Sequence, residues 1–286
     1  MSVSVVVGVD GSVESTAAAQ WAAYDAYRRR AALRLVWVAP PQDGDLPYGG
    51  AAGCGLPDFA TALQARIAQA LPQLDISCEL IPGTPWSALA AAGERDGLVV
   101  LGSRGPGGVT GRLLGSVALR VATEARCPVV LVPAGADGPA KGPGQVVVGV
   151  EGSRPSDAVL GFAFEETARR GAVLRALEGR VEPHGPYRTE APVGQDDIRR
   201  SLVESETLRL QDALARWREK FPEVRTVAEV SGWGAARTLV EASRSAAVVV
   251  LGRRAAAHPT AAPRLGPVAH AVIHRAHGPV AIVPHD

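Results

Sequence analysis

Three stretches of this 286-residue chain occur twice, in the same order. VVVGVDGS at residues 5–12 returns as VVVGVEGS at 146–153. VVLGSRG at 99–105 returns as VVLGRRA at 249–255, and CPVVLVP at 127–133 returns as GPVAIVP at 278–284. Landmarks that keep their order and approximate spacing over such a long period mean one domain fold used twice. Between the copies, AGADGPAKGPG is rich in Gly and Pro and has no apolar periodicity, so it reads as a linker. The expected division is a first domain at 1–134, a linker at 135–144 and a second domain at 145–286.

Within the first copy, apolar runs alternate with helical patterns. Strands are expected at 4–9, 33–39, 76–81, 98–101 and 129–132. Helices are expected at 13–30, 56–71, 86–93 and 116–126. Continuous β-branched runs suit strands covered on both faces. Strands alternating with helices imply parallel pairing through right-handed crossovers. Each half is therefore expected to be α/β, a five-stranded doubly wound sheet of Rossmann-like type with order 3-2-1-4-5. That order sets strands 1 and 4 side by side, and their carboxyl ends form the crevice where such sheets take ligands.

Strand 1 ends in Asp10-Gly11-Ser12. Strand 4 runs into LGSRGPGGVTGRLLGS, in which Gly102, Gly105 and Gly115 precede Ser116. Gly102 gives the chain freedom to leave the strand. Gly105 lets an anion approach the backbone, and Pro106, Gly107, Gly108 and Gly111 complete a loop with many free amides. A helix then opens at Gly115 and Ser116, with an apolar face at Ala118, Val121, Ala122 and Ala125. Its first amides and its dipole favour negative charge. Ser116 can cap the helix or donate to a phosphate, and Arg104 and Arg112 can add charge-assisted bonds. The arrangement points to a polyphosphate held by main-chain amides. It is neither a Walker A loop nor the dinucleotide fingerprint. A carboxylate at Asp10 suits sugar hydroxyls or an amine, but equally an Asx turn ahead of the first helix.

These residues resemble the universal stress proteins in their tandem two-domain form. The nucleotide-binding members carry G-2x-G-9x-G-[S/T], and Gly102, Gly105, Gly115 and Ser116 match it in full. The resemblance implies ATP at the crevice of the first domain, Asp10 beside the nucleoside, and the Val38 backbone pairing with adenine. The expected nucleotide contacts are Val9, Asp10, Gly11, Val38, Gly102, Ser103, Arg104, Gly105, Arg112, Gly115, Ser116 and Val117. A Mg²⁺ contact at Asp10 is left open. The resemblance also implies domain pairing through strand 5 and a cytoplasmic stress-response or regulatory role with, at most, slow hydrolysis. Homodimerisation and an unidentified protein partner stay open.

The second copy departs from the motif. Glu151 stands for Asp10, Gly179 for Val38, Ala255 for Gly105 and Pro267 for Ser116, and the spacing from Gly252 to Gly266 is one residue longer. The alanine methyl crowds a phosphate, and the proline removes an N–H and a hydroxyl. The first half is therefore expected to bind ATP and the second to serve as a built-in partner.

The remaining features narrow the field. A formal net charge of +1 gives no electrostatic case for nucleic acid or a membrane surface. The runs at Arg28–Arg30 and Arg199–Arg200 read as solvated helix faces. The start of the chain lacks a signal-peptide pattern, and no run of about 18 apolar residues is present. Cys54, Cys78 and Cys127 have no metal-site spacing and read as reduced thiols, with Cys127 in the core. His270 and His274, four apart on a helix, lack a partner carboxylate for a metal. The five tryptophans are scattered and suggest packing. Competing readings are a slow ATPase or adenylating enzyme, a cAMP binder, and a pseudo-dimeric interaction protein that binds no nucleotide.

Overall fold

The computed structural model describes residues 4–39, 57–105, 114–136, 144–151, 156–179, 195–255 and 264–286. The first half runs β1 (Ser4–Gly8), α1 (Val13–Arg29), β2 (Ala32–Ala39), α2 (Asp58–Ala70), β3 (Ile76–Pro82), α3 (Pro85–Asp96), β4 (Gly97–Gly102), α4 (Ser116–Glu124) and β5 (Val129–Val132). The second runs β6 (Gln145–Val150), α5 (Asp157–Arg170), β7 (Val173–Gly179), α6 (Gln195–Lys220), β8 (Arg225–Ser231), α7 (Ala235–Ala242), β9 (Ala246–Arg254), α8 (Pro267–Arg275) and β10 (Val280–His285).

The strand order is β3-β2-β1-β4-β5-β10-β9-β6-β7-β8, so each half shows the expected 3-2-1-4-5. Pairing is parallel within each half and antiparallel at the joint, where Val280 faces Leu131, Ala281 faces Val130 and Ile282 faces Val129. Two sheet edges that would otherwise present unpaired amides thus cover each other. Because the joint is antiparallel, the carboxyl ends of β1 and β4 lie at one end of the sheet and those of β6 and β9 at the other.

The strands carry continuous Val and Leu runs because both sheet faces are covered. Val5, Val6 and Val7 are all fully buried. One core layer packs α1, α2, α5 and α6 against the sheet, and the other packs α3, α4, α7 and α8. Cys127 is buried and Cys78 half-buried, both as free thiols, while Cys54 lies outside the described residues. One helix outruns its expected end at residue 93. Gly93 is not a terminator but a contact glycine: a Cβ there would stand 2.2 Å from Val99 Cγ2 and 2.6 Å from Cys127 Sγ. The true stop is Gly97, left-handed at φ 90°.

Where the halves meet, α1 and α5 bury a closed ring of charge. Arg29 Nε donates to Asp25 at 2.5 Å and its Nη2 to Glu166 at 2.5 Å. Arg170 Nε donates to Glu166 at 2.6 Å and its Nη2 to Asp25 at 3.1 Å. Asp25 and Glu166 hold corresponding places in the two helices, as do Arg29 and Arg170. Arg29 is therefore not on a solvated face, as its sequence context suggested; its side chain is 11% exposed. Burial, then the neighbouring Glu166, pushes the Asp25 carboxyl up to about 7. Burial would raise Glu166 too, but Arg170 and Arg29 outweigh it and hold Glu166 down at about 2. Burial and mutual repulsion thus raise one carboxyl of the pair, while the two arginines hold the other down.

Candidate functional site

The first-half crevice starts at the tip of β1. Val9 is buried and its N–H donates to Val36 O at 2.9 Å. Asp10 Oδ1 accepts from the Ser12 N–H at 2.9 Å and the Ser12 hydroxyl at 2.6 Å. Ser12 Oγ in turn accepts from the Ser15 N–H at 3.0 Å and caps α1. Gly11 makes this turn with φ +82°, a conformation costly for any residue with a Cβ. So one Asp10 oxygen does build the Asx turn. The other faces the β4 loop: Oδ2 lies 3.1 Å from where a Cβ on Gly105 would stand.

The end of β4 supplies the opposite wall. Gly102 is needed for a different reason from the expected one. Its φ is not left-handed, but a Cβ would lie 2.7 Å from Glu14 C and 2.8 Å from Ser15 N. Only a bare backbone lets α1 begin directly over the strand end. Ser103 N–H donates to Val132 O at 2.9 Å, and Ser103 O accepts from the Gly115 N–H at 2.8 Å. That bond closes the base of the loop. Gly115 packs onto it, its Cβ position 3.4 Å from Arg104 Cα and 3.5 Å from Gly105 N. The three motif glycines and Asp10 therefore assemble in one place.

Gly115 is the N-cap of α4, and no side chain caps this helix. Ser116 is the first helical residue rather than the cap, and it is exposed, which leaves its hydroxyl available. Val117 follows, half-buried. The first amides of α4 point out of the helix start, since the ladder begins at Leu119 N–H to Gly115 O, 2.9 Å. Arg104 is not held ready for a phosphate alone: its Nε lies 3.2 Å from Glu14 Oε1. Val38 is 9% exposed and opposite Ile81 in the ladder, on the layer shared with α3 and α4. Arg112 lies outside the described residues, as do Pro106, Gly107, Gly108 and Gly111.

The second-half crevice is built on the same frame with other contents. Gly179 replaces Val38 because α7 comes down onto it; a Cβ would stand 2.1 Å from Ala235 Cα. A Cβ on Gly252, the counterpart of Gly102, would meet the His285 imidazole at 2.7 Å. Ala255 N–H donates to His285 O at 2.6 Å. Pro267 opens α8 after the N-cap Gly266. These changes do not close the crevice. A cleft of about 840 Å³ remains, lined by Glu151, Leu239, Arg254, Pro267 and His285 among others. The His270 and His274 rings lie 4.5 Å apart on α8, tilted by 44°, and no group of three metal-ligating side chains occurs among the described residues.

The sequence profile of the Universal stress protein family matches residues 1–133 and again 144–284. The chain belongs to the universal stress protein family. A universal stress protein of Mycobacterium tuberculosis is 33% identical to it over 97% of this chain and 96% of its own length. Another from the same species is 30% identical over 100% of this chain and 96% of its own length. A crystal structure of a universal stress protein from Archaeoglobus fulgidus superposes with a TM-score of 0.63, covering 99% of this chain and 98% of its own at 16% identity, which speaks to the fold. Two residues of this universal stress protein's crevice were not singled out from sequence. Ser15 and Glu14 hold Asp10 and Arg104 respectively. The Ser12-x-x-Ser15 spacing, typical of a capped helix start, was the available signal for the first. No helix among the described residues is long and apolar enough to cross a membrane.

Proposed function

We propose that the first domain, 1–134, binds an adenine nucleotide, ATP by preference, in the crevice between β1 and β4. Occupancy, not turnover, is then the regulatory output of a cytoplasmic stress-response protein. The observation that carries this reading is the meeting of Asp10 Oδ2 with the bare backbone at Gly105, beside the open amide end of α4. Gly102, Ser103, Gly105, Gly115, Ser116 and Val117 surround the phosphates. Val9, Asp10 and Gly11 flank the sugar, and the Val38 backbone meets the base. Bare amides at a helix start hold phosphate without a cationic side chain, which suits an Arg104 already engaged by Glu14. Mg²⁺ fits as a phosphate-borne ion with one protein ligand, Asp10 Oδ2, since Oδ1 is occupied by Ser12.

The test is ATP titration of the full chain by calorimetry. Gly105→Asp with Gly115→Asp puts negative charge and bulk among the phosphates and should weaken binding by at least ~100-fold. Ala255→Asp, at the equivalent place in the second domain, should change affinity less than ~3-fold. Native affinity in the double glycine variant would remove the phosphate loop from the account.

A further inference from the structure

The seam between the halves is pseudo-twofold, and among the described residues it departs from that symmetry at a cation. Arg253 occupies on β9 the place that Ser103 occupies after β4, each following its motif glycine. Arg253 is 4% exposed, and its Nη2 donates to Ala125 O. Ala125 is the C-cap of α4, so a second-half arginine plugs the carboxyl end of a first-half helix. Unpaired carbonyls and the helix dipole favour positive charge there. Arg253 Nε has no hydrogen-bond partner among the described residues, and burial lowers the guanidinium below its usual range. The neighbouring Cys127 thiol is pushed up to about 12 by burial and offers no counter-charge.

At the symmetry-related place the serine is too short to reach. The carboxyl end of α8 has the same geometry: C-cap Ala276 lies at φ −58°, ψ 148°, against φ −60°, ψ 142° for Ala125. Between Ser103 and Ala276 is a cavity of about 170 Å³, lined also by Arg104, Leu114, His274 and His277. Leu131 and Val280, opposite each other in the β5–β10 ladder, line it too. The Ser103 hydroxyl and the helix-end carbonyls are acceptors, and His274 and His277 bring ring nitrogens to the same wall. Arg104 on this wall is answered by Glu14. The volume is well above the roughly 30 Å³ that one water occupies in the liquid.

We propose that this cavity is a binding slot for a guanidinium or primary alkylammonium compound with a short alkyl tail. The bound cation sits as Arg253 sits across the seam. It donates to the Ala276 carbonyl and the Ser103 hydroxyl, and so ties α8 to the loop that follows β4. The inference stands whether or not the crevice takes nucleotide.

Thermal unfolding of the nucleotide-free full chain tests it, with agmatine and methylguanidinium as probes and tetramethylammonium, which has no N–H, as the control at equal ionic strength. Agmatine at ten times its Kd should raise Tm by about 3 °C, and tetramethylammonium should not. Ser103→Arg should fill the slot, raise Tm and abolish the agmatine shift. Arg253→Ser should lower Tm and regain part of the loss in methylguanidinium. The absence of a shift in the native chain, or an undiminished shift in Ser103→Arg, would overturn the proposal. Should that variant not fold, native crystals soaked in methylguanidinium decide: density beside Ala276 O supports the slot, and its absence refutes it.

Discussion

At the end of β4, Gly102 lies under the first turn of α1, and the crevice beyond it is walled by main chain. At the end of β9, Gly252 lies under a side chain, His285, and Ala255 and Pro267 bring further side-chain atoms to the same mouth. Glycine is required at both strand ends, yet the neighbour that requires it differs. At the ends of β2 and β7 the contrast is reversed, with Val38 in the first half and a glycine pressed by the Ala235 backbone in the second. A duplicated frame thus keeps its strand order while each crevice is refilled locally. Both keep a carboxylate and an arginine at the mouth, Asp10 and Arg104 in the first and Glu151 and Arg254 in the second, but the second adds the His285 imidazole and the Pro267 ring.

The strongest way to probe this relation is at the charge ring, where the halves match most closely. Asp25→Asn alone should cost little at mildly acid pH, because burial and the neighbouring Glu166 favour the protonated form of Asp25. Asp25→Asn with Glu166→Gln leaves Arg29 and Arg170 buried without a carboxylate. Urea unfolding should show a loss of about 3–5 kcal/mol, well beyond the sum of the single changes.

The pH dependence follows from the same pair. Asp25 is raised from its ordinary 3.8 to about 7, so its contribution is full below about 4 and is lost as pH rises toward 7. Glu166 is lowered, so its contribution is present above its ordinary 4.5 and is lost as pH falls toward 2. Between pH 4.5 and 7 the Asp25 effect dominates. Native stability relative to Asp25→Asn should fall with rising pH, by at most about 1.4 kcal/mol per pH unit. A flat difference across that window would mean the proton is not where burial places it.

Two smaller changes sharpen the contrast. Gly179→Val installs the first-half residue in the second half, where its Cβ meets backbone; overpacking should cost about 2–3 kcal/mol in thermal unfolding. Ser12→Ala removes the α1 cap and a partner of Asp10, at about 1 kcal/mol. Ser156→Ala, at an N-cap making no side-chain bond, should cost only a few tenths.

Much of this was legible in the chain itself. The repeats gave the two halves, the β-branched runs alternating with helices gave a parallel doubly wound sheet, and the common order of such sheets, 3-2-1-4-5, is the one observed. The spacing of Gly102, Gly105 and Gly115 located the loop that the structure brings to Asp10. What escaped is long-range. Nothing near Arg29 in sequence announces Glu166, and the burial of that arginine arises only when α1 meets α5. Gly93 reads as a helix stop until Val99 and Cys127 are seen beneath it. Nothing near Arg253 in sequence announces the Ala125 carbonyl, which the antiparallel joint sets against it.

The β5–β10 ladder has a last consequence, for how the molecule behaves on dilution. Two separate single-domain chains joined along that edge would part at low concentration; here the partners share a backbone, and the pairing is a first-order event. Unfolding of this pairing should therefore be independent of protein concentration, and a larger assembly must use a surface other than the β5–β10 edge.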